Sequence, residues 1–599
     1  MRTFRFISGF ILLTAALSAQ QFPANPDDQG AAGPPDQPGN PVARISVLNG
    51  DASVRHGDAG DWIAVALNAP LMTGDTLSVT PGATVELQFD AAHFARVAGD
   101  SEVRIAAIDN TRYQLQLSKG LVTYRILRQS SVQGEVDTPL VAVRQATTSS
   151  VRVEVAPDNS TRVTVRHGSA EVYTPKGTEH VSEANTMTVR GSQDDPEFQV
   201  AYAIAPDAWD TWNDQRDTYL LRAQSPRYVS QDVYGTEDLD NYGRWGNDPQ
   251  YGDVWTPNVP ATWAPYRNGQ WVWNDYYGWT WVDYDPWGWA PFHYGSWYFR
   301  TGFGWSWFPG PRYGHYWYHP ALVGFFGFGG GGFGIGFGFG NVGWIPLAPF
   351  ERFRPWYGGG RAFAFNNVNI VRNVSITNVY RNARFANGVT AVSATDFQRG
   401  NFRNPVAVDR TSLAQASLVH GGVPMTPTAA NRSFTNRPAA AAGPRSSTGG
   451  QRFFTPQGGA TAARGNTGGA PGWQRFGSSP AGGQARAFQQ GAQQAPQQRF
   501  QSAPQGAFGA GGSRSLQVTP PIVRQRQAAP SYSAPSYNRG GGYSAPAPSY
   551  RSAPAPSYRS APAPAPAPRS APSAPSRSGG GGGGGGHPSG GGGHGGGRR

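Results

Sequence analysis

A 26-residue period of tryptophan and glycine constrains this chain more than any other feature. The stretch "WAPYRNGQWVWNDYYGWTWV" (263–282) is followed by the near-copy "WAPFHYGSWYFRTGFGWSWF" (289–308), and a weaker copy precedes both. Gly243, Trp245, Gly252 and Trp255 become Gly269, Trp271, Gly278 and Trp281, then Gly295, Trp297, Gly304 and Trp307. Seventeen of the 19 tryptophans lie between residues 209 and 356, so they belong to one module. Each copy reads as a strand, a five-residue loop ending in glycine, and a second strand. With the loop at 274–278, Trp273 opposes Trp279 and Trp271 opposes Trp281 on one face. The third copy sets Phe299 against Trp305 and Trp297 against Trp307. The first has Asn247 and Asp253 at the inner positions, so it is expected at an edge.

The opposite face reads Gln, Val, Thr and Val at 270, 272, 280 and 282, and Ser, Tyr, Ser and Phe at 296, 298, 306 and 308. That mixture suits a solvated or half-covered side. Eight aromatics left in water would exceed the apolar patch that soluble monomers expose, so the aromatic face is expected to be core. Two covers offer themselves: a helix carrying Trp209 and Trp212, and the run "FGIGFGFG" (333–340), which puts Phe333, Ile335, Phe337 and Phe339 on one side. The alternative is a platform for planar ligands such as sugar rings, formed by Trp271, Trp273, Trp279, Trp281, Trp297, Trp305 and Trp307. With the aromatic face as core, any function separate from folding is expected at the polar first copy or at the loops 274–278 and 300–304.

Upstream the period is two. "ARISVLNGDASVRH" places a hairpin turn at Asn49-Gly50, and "TVELQF", "YQLQL", "LVTYRI", "VRVEV", "TRVTV" and "SAEVY" continue the alternation with polar punctuation. Short strands at this spacing predict an antiparallel sandwich, roll or β-helix-like stack. Three stretches, "GDASVRHGDAGDWIAVALNAPLMTGDTLSV" (50–79), "LQLSKGLVTYRI" (115–126) and "TRVTVRHGSAEVY" (161–173), resemble a FecR domain in order and pattern. The resemblance covers 43–191 and departs at Asp90-Ala91-Ala92-His93 and at "QATTSS" (145–150). It implies a mostly β envelope domain, with signal sensing as its function. FecR proteins of the signalling kind reach a sigma factor through a cytoplasmic helical domain and a membrane span. Before residue 43 there is room for neither, so direct sigma-factor control is not expected.

Residues 203–225 hold the best helix, "DAWDTWNDQRDTYLLR", capped by Asp207 with Trp209, Trp212, Arg216 and Leu220 near one face. Residues 226–360, from "YVSQDVYGTEDLDNYGRW" through the repeats to "VGWIPLAPFE", resemble a Trp/Gly-rich domain of unknown function that often follows FecR domains. An Asn-rich extension follows at 361–408. From 409 to 599 the chain is low complexity, with "SAPAPSYR" in tandem at 544–559 and too few aliphatic residues to fold. The expected fold is therefore mostly β: an antiparallel FecR-like domain, one short helix, a Trp-rich hairpin module and a long disordered tail.

Charge divides along the same line. From residue 410 onward there are 19 Arg and no Lys, Asp or Glu, whereas the first 409 residues hold 31 basic against 38 acidic residues. An acidic folded part thus carries a basic tail. At the other end, "MRTFRFISGFILLTAALSAQQF" reads as an export signal (1–19), with Arg2 and Arg5 ahead of an apolar run too short to span a bilayer. A Pro/Gly-rich linker fills 20–42. Export makes nucleic acid an unexpected partner and points the tail to an envelope protein or an anionic envelope polymer. No transmembrane span is expected in the mature chain, and its oligomeric state is left open.

The absence of cysteine removes disulfides, thiolate metal sites and a cysteine nucleophile. His315 and His319 have i, i+4 spacing without a nearby carboxylate, and His587 and His594 sit in polyglycine; neither pair makes a convincing metal site. Asp283 and Asp285 read as a turn before they read as paired acids. No catalytic motif or cofactor fingerprint is present. The reading is a non-enzymatic, exported scaffold or binding protein, with a carbohydrate- or cell-wall-binding module using exposed tryptophan as the alternative.

Overall fold

The computed structural model describes residues 41–58, 60–330, 338–357, 369–371, 374–385, 387–421, 423–440, 452–456 and 472–476. The export signal and most of the linker and tail lie outside these residues, as do Phe333, Ile335, Phe337, His587 and His594. The described residues are predominantly β-strand with few short helices.

Residues 43–202 form two sheets that share one long strand, Arg112–Ile126. Its C-terminal half pairs with His93–Val97 and Ser149–Val155. Its N-terminal half pairs with Ser101–Ile108 on one side and Gln133–Asp137 on the other. The pairing with Gln133–Asp137 is parallel, a departure from the all-antiparallel expectation. Alternating residues of both sheets, among them Ile45, Leu87, Val54, Leu77 and Val153, enter one aliphatic core, as period-two patterning requires.

The Asn49-Gly50 turn is not a hairpin. Ala43–Asn49 pairs with Thr84–Gln88, and Ala52–Arg55 pairs with Trp62–Ala64 and Thr76–Val79. The turn instead passes the chain from one sheet to the other. Gly50 makes the crossing at φ 83°, where a Cβ would lie 2.8 Å from that of Ala83.

The helix Ala208–Arg222 carries the expected cap: Asp207 accepts from the Asp210 amide while Asp210 accepts from the Asp207 amide. Its aromatic face, however, covers the β domain rather than the tryptophan repeats. Trp209 Nε1 donates to Thr123 Oγ1 (2.8 Å), and Leu220 packs with Phe94 and Leu127. Arg96 lies over the Trp212 ring at 5.8 Å. Beneath the helix sits a buried charge network. Glu86 is held by Arg96 (2.8 Å) and Arg216 (2.9 Å), and Asp217 bridges Arg96 (2.6 Å) and Arg125 (2.5 Å). This polar ring explains the choice of face, because the helix supplies counter-charges that the strand arginines need once buried.

The three hairpins form in the expected register: Trp271↔Trp281 and Trp273↔Trp279, Trp297↔Trp307 and Phe299↔Trp305, Trp245↔Trp255 and Asn247↔Asp253. Their order in space differs from their order in sequence. The first and third join through Trp255↔Trp307 into one four-stranded sheet with Gly243–Asp248 at an edge, and the second stands as a separate pair. A five-stranded sheet follows, ordered Asn369–Val371, Ser417–His420, Val323–Phe328, Asn341–Pro346 and Thr390–Ser393. Two of its strands come from the expected Asn-rich extension and one from the expected tail. The signal for the last was "SLVHGGVPM" (417–425), whose Leu418, Val419, Val423 and Met425 are all buried.

Candidate functional site

The candidate ligand platform is a packed interior. Trp271, Trp279, Trp281 and Trp307 are 0 % exposed, Trp297 1 % and Trp305 4 %; Trp273 alone is part-buried. The five-stranded sheet and the short helix Ala394–Gln398 cover the second hairpin. Trp271 lies 4.9 Å from Phe325 and 5.8 Å from Trp344, and Trp279 lies 4.8 Å from Phe397. Most indole N–H groups in this cluster find backbone acceptors: Trp279 donates to Val423 O, Trp297 to Pro291 O, Trp307 to Tyr294 O and Trp344 to Tyr266 O. Paired in this way, a tryptophan contributes its large apolar area without a stranded donor. A sugar ring would have to displace these neighbours to reach six of the seven faces.

The mixed face of the second hairpin is covered as well. Val272 and Val282 belong to the aliphatic core of the β domain, Gln270 donates to Ser433 O, and Thr280 is fully buried. This hairpin is therefore a wall between two cores, tryptophan on one side and valine on the other. Asn68 of the β domain fastens its end, donating to Asp283 O (3.2 Å) and Asp285 O (2.8 Å). Arg44 adds a second fastening through Asp238 (2.7 Å).

The chemistry-bearing side chains serve the same packing. Asp283 accepts from Trp281 Nε1 (2.9 Å) and the Asp285 amide (3.0 Å), and burial pushes its carboxyl well above the usual range. Asp285 accepts from Asn268 and Trp263, so the pair closes a turn. His315 faces Asp232 and His319 faces the Tyr357 hydroxyl, so the two rings do not converge. Buried His293 donates from Nδ1 to His319 O (2.7 Å), and burial lowers its pKa to about 3, which keeps it neutral. Among the described residues no three His, Cys, Asp or Glu side chains cluster as a metal site, and no helix is long and apolar enough to cross a membrane.

Three short pieces of the expected tail lie on the β domain. Phe434 is buried and meets the His56 ring edge-on at 5.5 Å. Thr455 donates to Asp137 (2.6 Å), and the Phe454 amide donates to Thr138 O. Gln474–Arg475 adds to the edge strand Pro196–Tyr202, with Phe476 4.6 Å from Phe198 and Arg190 3.6 Å over Trp473. Basic tail thus meets acidic domain, Arg475 facing Asp195 and Glu197.

At the middle contact, burial and the neighbouring Glu135 push Asp137 up to about 8. A carboxyl raised in the folded state makes that state bind more protons, so stability falls as pH rises from about 4 to 8. Thermal melts across that window are expected to show the decline in the natural protein and a smaller one in Asp137→Asn.

Residues 236–351 match a family of unknown function (DUF6600). The match takes in all three hairpins and the strands Val323–Phe328 and Asn341–Pro346 of the five-stranded sheet. No curated relative matches the chain. Two crystal structures of a candidate anti-sigma factor from Parabacteroides distasonis ATCC 8503, at 1.65 and 2.50 Å, are similar over 24 % of this chain and 64 % of that one. The identity is 16 % and the TM-score 0.20. This chain thus spans a little under two thirds of that protein's length, and at such a score no role is transferred from it.

Proposed function

We propose that this protein is a non-enzymatic scaffold of the cell envelope, exported by residues 1–19, periplasmic or surface-associated, with a FecR-like β domain at 43–191. The observation that carries the reading is the second hairpin, whose two faces close two different cores. A chain that spends its tryptophans and buried acids in this way is organised to hold two modules as one body. The resource left for a partner is then the arginine-rich tail, which is suited to an acidic envelope protein or polymer. FecR-like sensing would be delivered through such a partner.

The test compares the exported natural protein with a variant whose arginines after residue 476 are glutamine, each used to retrieve partners from envelope extract. Retention of a salt-sensitive partner by the natural chain, and its loss from the variant, is the expected result. Identical profiles for the two chains would sink the tail's part in the proposal. A mature mass that still contains residues 1–19 would sink export by cleavage.

A further inference from the structure

On the face of the five-stranded sheet opposite the tryptophans, a second aliphatic cluster is roofed by Ile376–Val379, Arg381–Arg384 and residues 405–414. The roof leaves an open cavity of about 930 Å³, within the roughly 300–1,000 Å³ usual for ligand sites. Its charged lining is Arg267, Arg384 and Arg410, and no Asp or Glu lines it.

These arginines differ from those of the β domain, where Arg44, Arg96, Arg125, Arg152 and Arg166 all meet carboxylates. Arg267 donates to Thr390 Oγ1 and to the carbonyls of Asn387 and Val389. Arg384 donates to Thr377 O. Among the described residues none of the three forms an ion pair, and the Arg410 side chain makes no hydrogen bond. The neighbouring Asp409 is engaged with the Ser412 amide (2.7 Å). Three cations around one cavity repel each other and create a positive potential that an anion relieves.

Guanidinium forks suit carboxylate and phosphate oxygens. Beside Thr377, Asn378 and Thr390 the lining has an apolar part, with Val389, Val406 and Val408 part-buried and Leu413 buried. A bare hydrated anion gains nothing from that apolar part. The chain's own tail is excluded by charge, because it has no acidic residue beyond Asp409. We propose that this cavity binds a single-chain amphipathic anion, its carboxylate or phosphate head on the arginines and its hydrocarbon chain along the valines and Leu413.

The test is calorimetric titration of the full chain with dodecanoate and dodecyl phosphate below their micellar concentrations, beside inorganic phosphate and dodecyltrimethylammonium. Saturable binding of the anionic amphiphiles is expected, with phosphate and the cationic amphiphile at least about tenfold weaker. The double variant Arg384→Gln/Arg410→Gln should lose about tenfold; both side chains are exposed, so the fold is retained. Val406→Trp, which fills the cavity at constant charge, should lose as much. Because the arginine tail is the same in every protein, loss in Val406→Trp assigns binding to the cavity. Unchanged binding in both variants, or phosphate binding as tightly as dodecyl phosphate, would overturn the proposal.

Discussion

Trp281→Ala is expected to lower unfolding stability by about 3–5 kcal/mol, the range for removing a large aromatic from a core. The ring is fully buried, 5.4 Å from Trp271 and 5.7 Å from Tyr266. Its Nε1 is one of two donors to the buried Asp283 carboxyl. The substitution therefore opens a cavity and also strips a buried polar group of a partner, and the two costs act together. Trp273→Ala, at the part-buried outer end of the same hairpin, should cost clearly less. Denaturant midpoints of the two variants read the difference. A stacking platform would give the reverse order of consequences: little loss of stability at either position, and loss of glycan binding at both.

Glu86→Ala should be comparably severe, about 3–5 kcal/mol, because it leaves buried Arg216 without its counter-ion and Arg96 with Asp217 alone. Glu86 is fully buried and also accepts from Ser46 (2.8 Å). Burial opposes its charge, yet Arg216 and Arg96 hold its pKa at about 2. A carboxylate lowered from 4.5 to about 2 in the folded state stabilises the protein fully above pH 4.5, and that contribution is lost as pH falls through 2. Acid unfolding of the natural protein should therefore fall in that window, with its dependence reduced in Glu86→Ala. Arg437→Ala removes the exposed pair with Asp51 and should change stability by no more than about 1 kcal/mol. Equal effects of the two substitutions would show that the buried network beneath the helix contributes no more than an exposed pair.

Periodicity made the strands, the helix cap and all three hairpin registers readable from the sequence, because each depends on residues close together in the chain. Which surfaces meet was not readable. The face of Trp209, Trp212 and Leu220 is visible in "DAWDTWNDQRDTYLLR", but its partner is fixed by Glu86 and Arg96, more than a hundred residues away. The Asn49-Gly50 turn has hairpin chemistry and still crosses between sheets, since each flanking strand pairs better elsewhere. Composition misled at Ser417–His420, where a short aliphatic run in a polar, arginine-bearing stretch finds a ready sheet edge at Val323–Phe328. The valines at 272 and 282 looked half-solvated because the second core they complete belongs to a different domain of the sequence.

The claim that the repeated tryptophans are interior rather than platform is tested most directly by acrylamide quenching of native tryptophan fluorescence, with and without envelope glycan. The account predicts that most of the emission resists quenching until the protein is unfolded in denaturant, and that glycan leaves the quenching unchanged. Quenching of most of the native emission, relieved by glycan, would contradict it.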